Sequence, residues 1–196
     1  MPTRRERSDA ADNRRLILQT AKSLFEEHGV EDVSMHQIAK TAGIGQGTLY
    51  RRYAHKGDLC CDLIEDAGAE AISAAERYAS STSDTLSPSE RLGGALDLLV
   101  DFIDDKLQLL IPLHSVHMSA EDKTAFFRSP IYINLKRILT QLLQEVPSNS
   151  GEVDPQIKAH VILCSLNPAG YLHMRDTLGF SKEEIKQYYR KLYAGI

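Results

Sequence analysis

The chain has 196 residues, 42% hydrophobic and 26% charged, with 23 Lys/Arg against 27 Asp/Glu. This length and balance fit one domain, or a small domain plus a larger one, with enough apolar residues for a buried core. No apolar run approaches the roughly 18 residues of a membrane span, and three cysteines, two of them adjacent, make neither a disulfide framework nor a metal knuckle.

A reducing, cytoplasmic setting is expected, because the basic N-terminus leads into a charged helix and not into the apolar core of a secretion signal. Charge is unevenly spread. Residues 1–60 hold ten Lys/Arg against eight Asp/Glu, and residues 61–196 hold thirteen against nineteen. Residues 33–56 contain Lys40, Arg51, Arg52 and Lys56 and no acidic residue. That points to a polyanion contact confined to one end of the chain, with a solvated helix face as the alternative.

Apolar spacing is helical nearly throughout, and no alternating strand stands out. Ile17, Ala21, Leu24 and Phe25 predict a first helix, capped by Asp9 or Asp12 and closed by Gly29. Ser34-Met-His-Gln37 is a capping-box pattern, with the Ser34 hydroxyl accepting from the amide of residue 37. Met35, Ile38, Ala39 and Ala42 form the buried stripe of a second helix, ended by Gly43. A third short helix is expected from about Gln46 to Tyr53, and a fourth over 56–79. The polar stretch SSTSDTLSPS, residues 80–89, is the expected domain boundary. Beyond it, helical runs are predicted at 89–110, 112–120, 126–146, 155–175 and 181–194, punctuated by Pro112, Pro130, the stretch VPSNSGEVDP and Gly179.

Two readings compete for GIGQGTLYRRY, residues 43–53. A dinucleotide loop needs G-x-G-x-x-G after a strand, but here the spacing is G-x-G-x-G and an amphipathic helix precedes it. A helix-turn-helix accounts for each glycine. Gly43 ends one helix in a left-handed conformation, Ile44 plugs the turn, Gly45 is the N-cap of the next, and Gly47 lets that helix end lie close to a backbone. The second helix then presents Gln46, Thr48, Tyr50, Arg51 and Arg52, with Leu49 and Tyr53 inward. In such motifs the N-terminal residues of the second helix reach base edges in the major groove.

With these residues in view, the run Ser34…Ile38-Ala39…Ala42-Gly43-Ile44-Gly45…Gly47-Thr48-Leu49-Tyr50…Tyr53…Lys56…Leu59 resembles the DNA-binding domain of TetR/AcrR-type transcriptional regulators. Upstream, Ile17-Leu18-Gln19-Thr20-Ala21…Leu24-Phe25…His28-Gly29 is similar to the family's first helix. The resemblance covers about residues 10–65. It implies an all-α, nine-helix dimer, with an N-terminal helix-turn-helix bundle and a larger C-terminal bundle for ligand binding and dimerisation. It implies a repressor released from its operator by a small molecule; separately, no cofactor and no enzymatic activity are expected. By position, Thr48 and Tyr50 contact bases or phosphates, Tyr53 supports them, and Lys56 holds a phosphate; Ser34, Gln46, Gly47 and Arg51 complete the expected DNA interface. Gly45 departs from the family's usual serine. His55 and Gly57 also depart, standing where a cap and an acidic residue are common. The corresponding domains are 9–58 for DNA binding, 59–79 as a linking helix and 80–196 for effector binding and dimerisation. Arg4, Arg5, Arg7, Arg14 and Arg15 make either a DNA-seeking arm or a solubilising tail.

Residues 80–196 contain no G-x-S-x-G and no HExxH motif. His114 and His117 share a helix face at i, i+3, but zinc needs at least one more ligand and none can be assigned, so no metal is expected. Candidate pocket residues are Phe102, His114, His117, Met118, Tyr132, Asn167 and Tyr171, with core packing as the alternative for each. Pro168 is expected to kink a continuous helix and free the carbonyl of Cys164. The last two helices carry Ile157, Val161, Leu172, Ile185, Tyr188, Tyr189 and Leu192, more apolar surface than one hairpin face needs, and the resemblance implies a four-helix homodimer interface there. The rival reading is a DNA-binding adaptor whose C-terminal bundle takes a protein partner and no small molecule.

Overall fold

A computed structural model describes the backbone of residues 4–119, 124–147 and 153–196, with side chains over 11–111, 124, 126–147 and 153–196. Among the described residues there are nine α-helices, a 3-10 turn and two π-helical segments, and no strand. Packing divides the chain into two units, Met1–Ile64 and Glu65–Ile196, and the division falls inside α4 (Lys56–Ser81). The serine-rich stretch expected as the boundary instead lies within the second unit, where residues 82–87 turn the chain from α4 into α5 (Pro88–Ser119).

In the first unit, α1 (Arg4–His28) starts before Asp9 and Asp12, so neither caps it. Gly29, at φ 83°, ends it, its N–H donating to the Phe25 carbonyl at 2.9 Å. Ser34 caps α2 (Met35–Thr41), its hydroxyl accepting from the Gln37 N–H at 3.1 Å. The end of α2 is a Schellman motif. Gly43, at φ 66°, donates to Lys40 O at 3.2 Å, and Ile44 donates to Ala39 O at 3.0 Å. Gly45 then caps α3 (Gln46–Arg52) by backbone alone. Helices of seven residues are far too short to stand alone in water, so both depend on burial. Ile38, Leu49 and Val33 supply it, packed into a core with Ile17, Ala21 and Leu59.

Lys56 corrects an expectation. Its ammonium group donates to three backbone carbonyls of the α1–α2 connection: Val30, Glu31 at 3.1 Å and Val33 at 3.0 Å. All three of its hydrogens serve the fold, which replaces the predicted ion pair with phosphate. Tyr53 is likewise part of the core. Its hydroxyl donates to Asp62 Oδ2 at 2.6 Å, and the same oxygen accepts from Arg14 Nε at 3.0 Å, so α1, the end of α3 and α4 meet at one carboxylate. Burial and then the bond to Asp62 push the Tyr53 phenol up, which keeps it a donor.

In the second unit, four helices begin alike, with a capping side chain followed by proline. Ser87-Pro88 starts α5, Ser129-Pro130 α6 (Pro130–Glu145), Asp154-Pro155 α7 (Pro155–Ser165) and Asn167-Pro168 α8 (Pro168–Leu172). Proline suits the first helical position, because its missing N–H would be unpaired there anyway. Pro168 therefore starts a helix where a kink was expected. The Asn167 side chain accepts from Gly170 N–H at 2.8 Å and donates to the Cys164 carbonyl at 3.3 Å, which removes the free carbonyl. Pro112 also behaves differently from expectation, since α5 runs through it to Ser119. One lost backbone bond is tolerated when the rest of the helix is held. The helix expected at 126–146 is instead a 3-10 turn, Ala125–Arg128, followed by α6.

Leu135, Ile138, Leu139, Leu142 and Leu143 give α6 a buried stripe at i, i+3, i+4, i+7, i+8, which joins Leu92, Leu96 and Val100 of α5 and Ile162 of α7. After α8, the chain passes through a π-helical turn (His173–Thr177) to α9 (Lys182–Tyr189) and a second one (Arg190–Ala194). A ladder of ion pairs ties this end to α5: Arg190 to Asp97, Lys186 to Asp101 at 2.7 Å, and Lys182 to Asp101 at 3.3 Å and to Asp104 at 3.2 Å. Tyr171, fully buried, donates its hydroxyl to Asp104 at 2.7 Å.

Two predictions follow from these contacts. Lys56→Met removes a charged donor from three carbonyls and should cost about 1.5–3 kcal/mol, read as a lower midpoint in thermal or urea unfolding followed by circular dichroism. Burial by itself would raise the Asp101 and Asp104 carboxyls. The bonds from Lys186 and Lys182 to Asp101, and from Tyr171 and Lys182 to Asp104, outweigh it and hold both below the ordinary carboxylate range. Lowered values mean stability present above about pH 4 and lost as pH falls through the folded values. Asp104→Asn should therefore be less stable than the unmodified chain at pH 7, and the gap should narrow on acidification in urea titrations at stepped pH.

Candidate nucleic-acid interface

The Schellman turn places α2 and α3 so that Leu49 faces the core while Gln46, Gly47, Tyr50, Arg51 and Arg52 are exposed and Thr48 is half-buried. Tyr50 is 47% exposed. Its placement contrasts with Tyr53, three residues on and buried. Lys40, Arg51 and Arg52 are exposed on the same stretch.

Several of these side chains are held in place by neighbours. Arg51 folds back along α3, donating from Nε to the Gly47 carbonyl at 3.1 Å and from Nη2 to Thr48 Oγ1 at 3.3 Å. The Thr48 hydroxyl hydrogen stays free to donate outward. Arg52 leans the other way, with its Cζ 5.8 Å from the centre of the Tyr53 ring. Gln46 Nε2 is hydrogen-bonded to Nδ1 of His36 on α2. A Cβ placed on Gly47 would meet nothing within 4 Å, so its closeness to a backbone is not a contact within the chain. Ser34 spends an oxygen lone pair on its cap. His36 and the Arg14–Asp62 pair escaped the sequence reading. His36 was within reach of it, lying at i, i+4 with Lys40 opposite the buried stripe of α2.

In the second unit, the expected pocket residues do not gather at one cavity among the described residues. Tyr171 is core, and Asn167 is spent on the α8 cap. Tyr132 is buried, hydrogen-bonded to His160 Nδ1 at 2.6 Å and edge-on to Phe127. Phe102 is half-buried against the core. The side chains of His114, His117 and Met118 lie outside the described residues. Two described clefts, of about 380 and 670 Å3, are lined by other residues, including Tyr78, Asp97 and Arg190 in the smaller and Arg91, Arg137 and Gln141 in the larger. Among the described residues no three His, Cys, Asp or Glu side chains converge on a point, and no helix is long and apolar enough to cross a membrane.

The expected interface residues divide by helix face. Ile157 and Val161 on α7, Tyr188 on α9 and Leu192 beyond it are exposed, Leu192 by 72%. Ile185 and Tyr189 are core, Tyr189 donating to Ser165 Oγ at 3.2 Å, and Leu172 is half-buried. Around residues 185–192 both faces carry apolar residues, so hydrophobicity alone did not separate the inner pair from the outer one.

Comparison with known proteins agrees with this geometry. Residues 17–60 match the family model for bacterial regulatory proteins of the tetR family. The HTH-type transcriptional regulator SAB2452 of Staphylococcus aureus strain bovine RF122 / ET3-1 is 30% identical over 187 residues, 95% of each chain. SAUSA300_2515 of strain USA300, also an HTH-type transcriptional regulator, matches to the same extent. Among solved structures, a TetR/AcrR-family regulator from Thermobifida fusca superposes with a TM-score of 0.67 at 20% identity, over 93% of this chain and 97% of that one. The Thermus thermophilus repressor FadR, in complex with lauroyl-CoA, does so with a TM-score of 0.68 at 19% identity, over 92% of both chains. With 95% of its length aligned to such regulators and a helix-turn-helix in the matched segment, the chain belongs to the TetR family of bacterial transcriptional regulators.

Proposed function

We propose that the chain is a cytoplasmic, homodimeric repressor that binds an operator through α2 and α3 and leaves it when a small molecule binds the second unit. The observation that carries the DNA reading is the exposed face of α3. Gln46, Thr48, Tyr50 and Arg51 project there with no acidic residue between positions 33 and 56. Bases are read by Gln46 and Thr48 in the major groove, Tyr50 and Arg51 engage bases or phosphates, and Ser34 donates its remaining hydroxyl hydrogen to a phosphate. Gly47 admits the DNA backbone. Tyr53 and Lys56 hold the unit that carries these groups.

Dimerisation uses Ile157, Val161, Tyr188 and Leu192, an apolar surface that its exposure makes costly in a monomer. Two copies are needed because paired half-sites lie one helical turn, about 34–36 Å, or a multiple apart. The effector acts by linkage: it frees the operator by preferring the conformation that DNA does not. Support for an effector comes from FadR, whose structure holds lauroyl-CoA. Phe102, His114, His117 and Met118 are the proposed contacts.

Fluorescence anisotropy with DNA from upstream of the protein's own gene, at several salt concentrations beside a scrambled duplex, tests the reading. A dimer preferring the upstream DNA by 1,000-fold or more, on the order of specific over non-specific binding, supports it. Equal, weak binding to every fragment of a genome-wide pool would sink it, and retained operator binding with no effector found would favour the adaptor. Gly47→Ala separates fold from function. It should leave stability unchanged or raise it by about 0.5–1 kcal/mol, while weakening operator binding. Leu192→Glu should shift the dimer toward monomer in analytical ultracentrifugation and weaken operator binding with it.

A further inference from the structure

We infer that His36 is a positioning residue for base recognition, orienting the Gln46 amide on the reading face of α3. The inference rests on the DNA-binding role proposed above. His36 and Gln46 are ten residues apart, each exposed, each in the first turn of its helix. The Schellman turn at Gly43 brings the two helix starts together, and Gln46 Nε2 hydrogen-bonds to His36 Nδ1.

The chemistry of the pair gives it a direction. Nε2 of a glutamine only donates, so Nδ1 of the ring accepts, and the ring proton sits on its other nitrogen. Gln46 has two amide hydrogens and gives one to His36. It keeps a carbonyl oxygen and one N–H, an acceptor and a donor held side by side. That is the complement of adenine in the major groove, which offers a donor at N6 and an acceptor at N7. A free glutamine on a helix surface samples many rotamers and loses that freedom on binding; one already tied down loses less. Thr48 is held in the same manner from within α3 by Arg51. The reading face is therefore set before DNA arrives, one side chain from its own helix and one from α2. A lysine or arginine at position 36 offers no acceptor and would not hold the amide this way.

The test begins by enriching tightly bound duplexes from a random pool with the full-length chain, then measures affinity for the winning duplex and its single-base variants at fixed salt and pH. His36→Ala should keep helix content and dimerisation but lower discrimination at one base pair, an A·T pair, by roughly 5- to 10-fold. Gln46→Ala should lose discrimination at the same base pair, and the double variant should be no worse than Gln46→Ala alone. His36→Asn should restore most of the loss, since its Oδ1 offers an acceptor close to where Nδ1 lies. Additive losses in the double variant would overturn the inference in favour of an independent contact by His36. So would a uniform loss across all duplexes with a shallower salt slope, the signature of a phosphate contact. If the unmodified chain enriches no sequence at all, the DNA-binding reading fails, and this inference falls with it. If it enriches a sequence that His36→Ala reads equally well, only this inference falls.

Discussion

The first unit depends on one lysine. Between α1 and α2 the chain reverses within six residues, too short a stretch to form regular structure of its own. The carbonyls of Val30, Glu31 and Val33 would otherwise have only solvent, although Val30 and Val33 are themselves buried in the core. The ammonium of Lys56, reaching from the start of α4, satisfies all three. Backbone polar groups near a core cannot be left unpaired cheaply. By pairing them, Lys56 fixes where α2 begins and ties that point to α4. The Ser34 cap, the Schellman turn and the orientation of α3 follow in sequence. The Asp62 carboxylate closes the other side, collecting Arg14 and Tyr53, so that the seven-residue α3 is held at its C-terminal end as well.

The second unit solves its helix ends differently. There the sequence supplies a cap and a proline at each of four starts, and a reciprocal capping box of Ser181 and Glu184 at the fifth. Local chemistry does most of the work, and side chains from other helices are left for longer-range ties. The α5–α9 ladder is one of these. The pairs are partly exposed and each contributes modestly, but their spacing, about one turn apart on both helices, specifies a register. The bond from the buried Tyr171 to Asp104 ties the ladder to the core.

Function in this arrangement comes from what the packing leaves outside. A unit whose short helices are pinned from behind can expose a tyrosine, a glutamine and two arginines on a rigid frame. The exposed side chains are partly constrained by one another, Arg51 on Thr48 and His36 on Gln46, which lowers the ordering cost of a complex. In the second unit the exposed Val161 of α7 and Tyr188 of α9 each directly precede a core residue, Ile162 and Tyr189, on another side of the same helix.

The helical class, the start of α2, the left-handed glycines at 29 and 43, the turn at 43–45 and the inward Leu49 were legible in the sequence. Each follows from local rules: apolar period, a cap residue, and backbone angles that only glycine adopts easily. The clamp made by Lys56 and the Asp62 partner of the inward Tyr53 were not legible, nor was the division of Ile185 and Tyr189 from Tyr188 and Leu192. Those outcomes depend on which groups from distant parts of the chain lie within three ångströms. A lysine at a helix start reads equally well as a phosphate ligand or a backbone clamp until the carbonyls of Val30, Glu31 and Val33 are seen beside it. The sequence determined which residues are able to pair; only the tertiary structure decided which pairs form, because a hydrogen bond needs both partners in place.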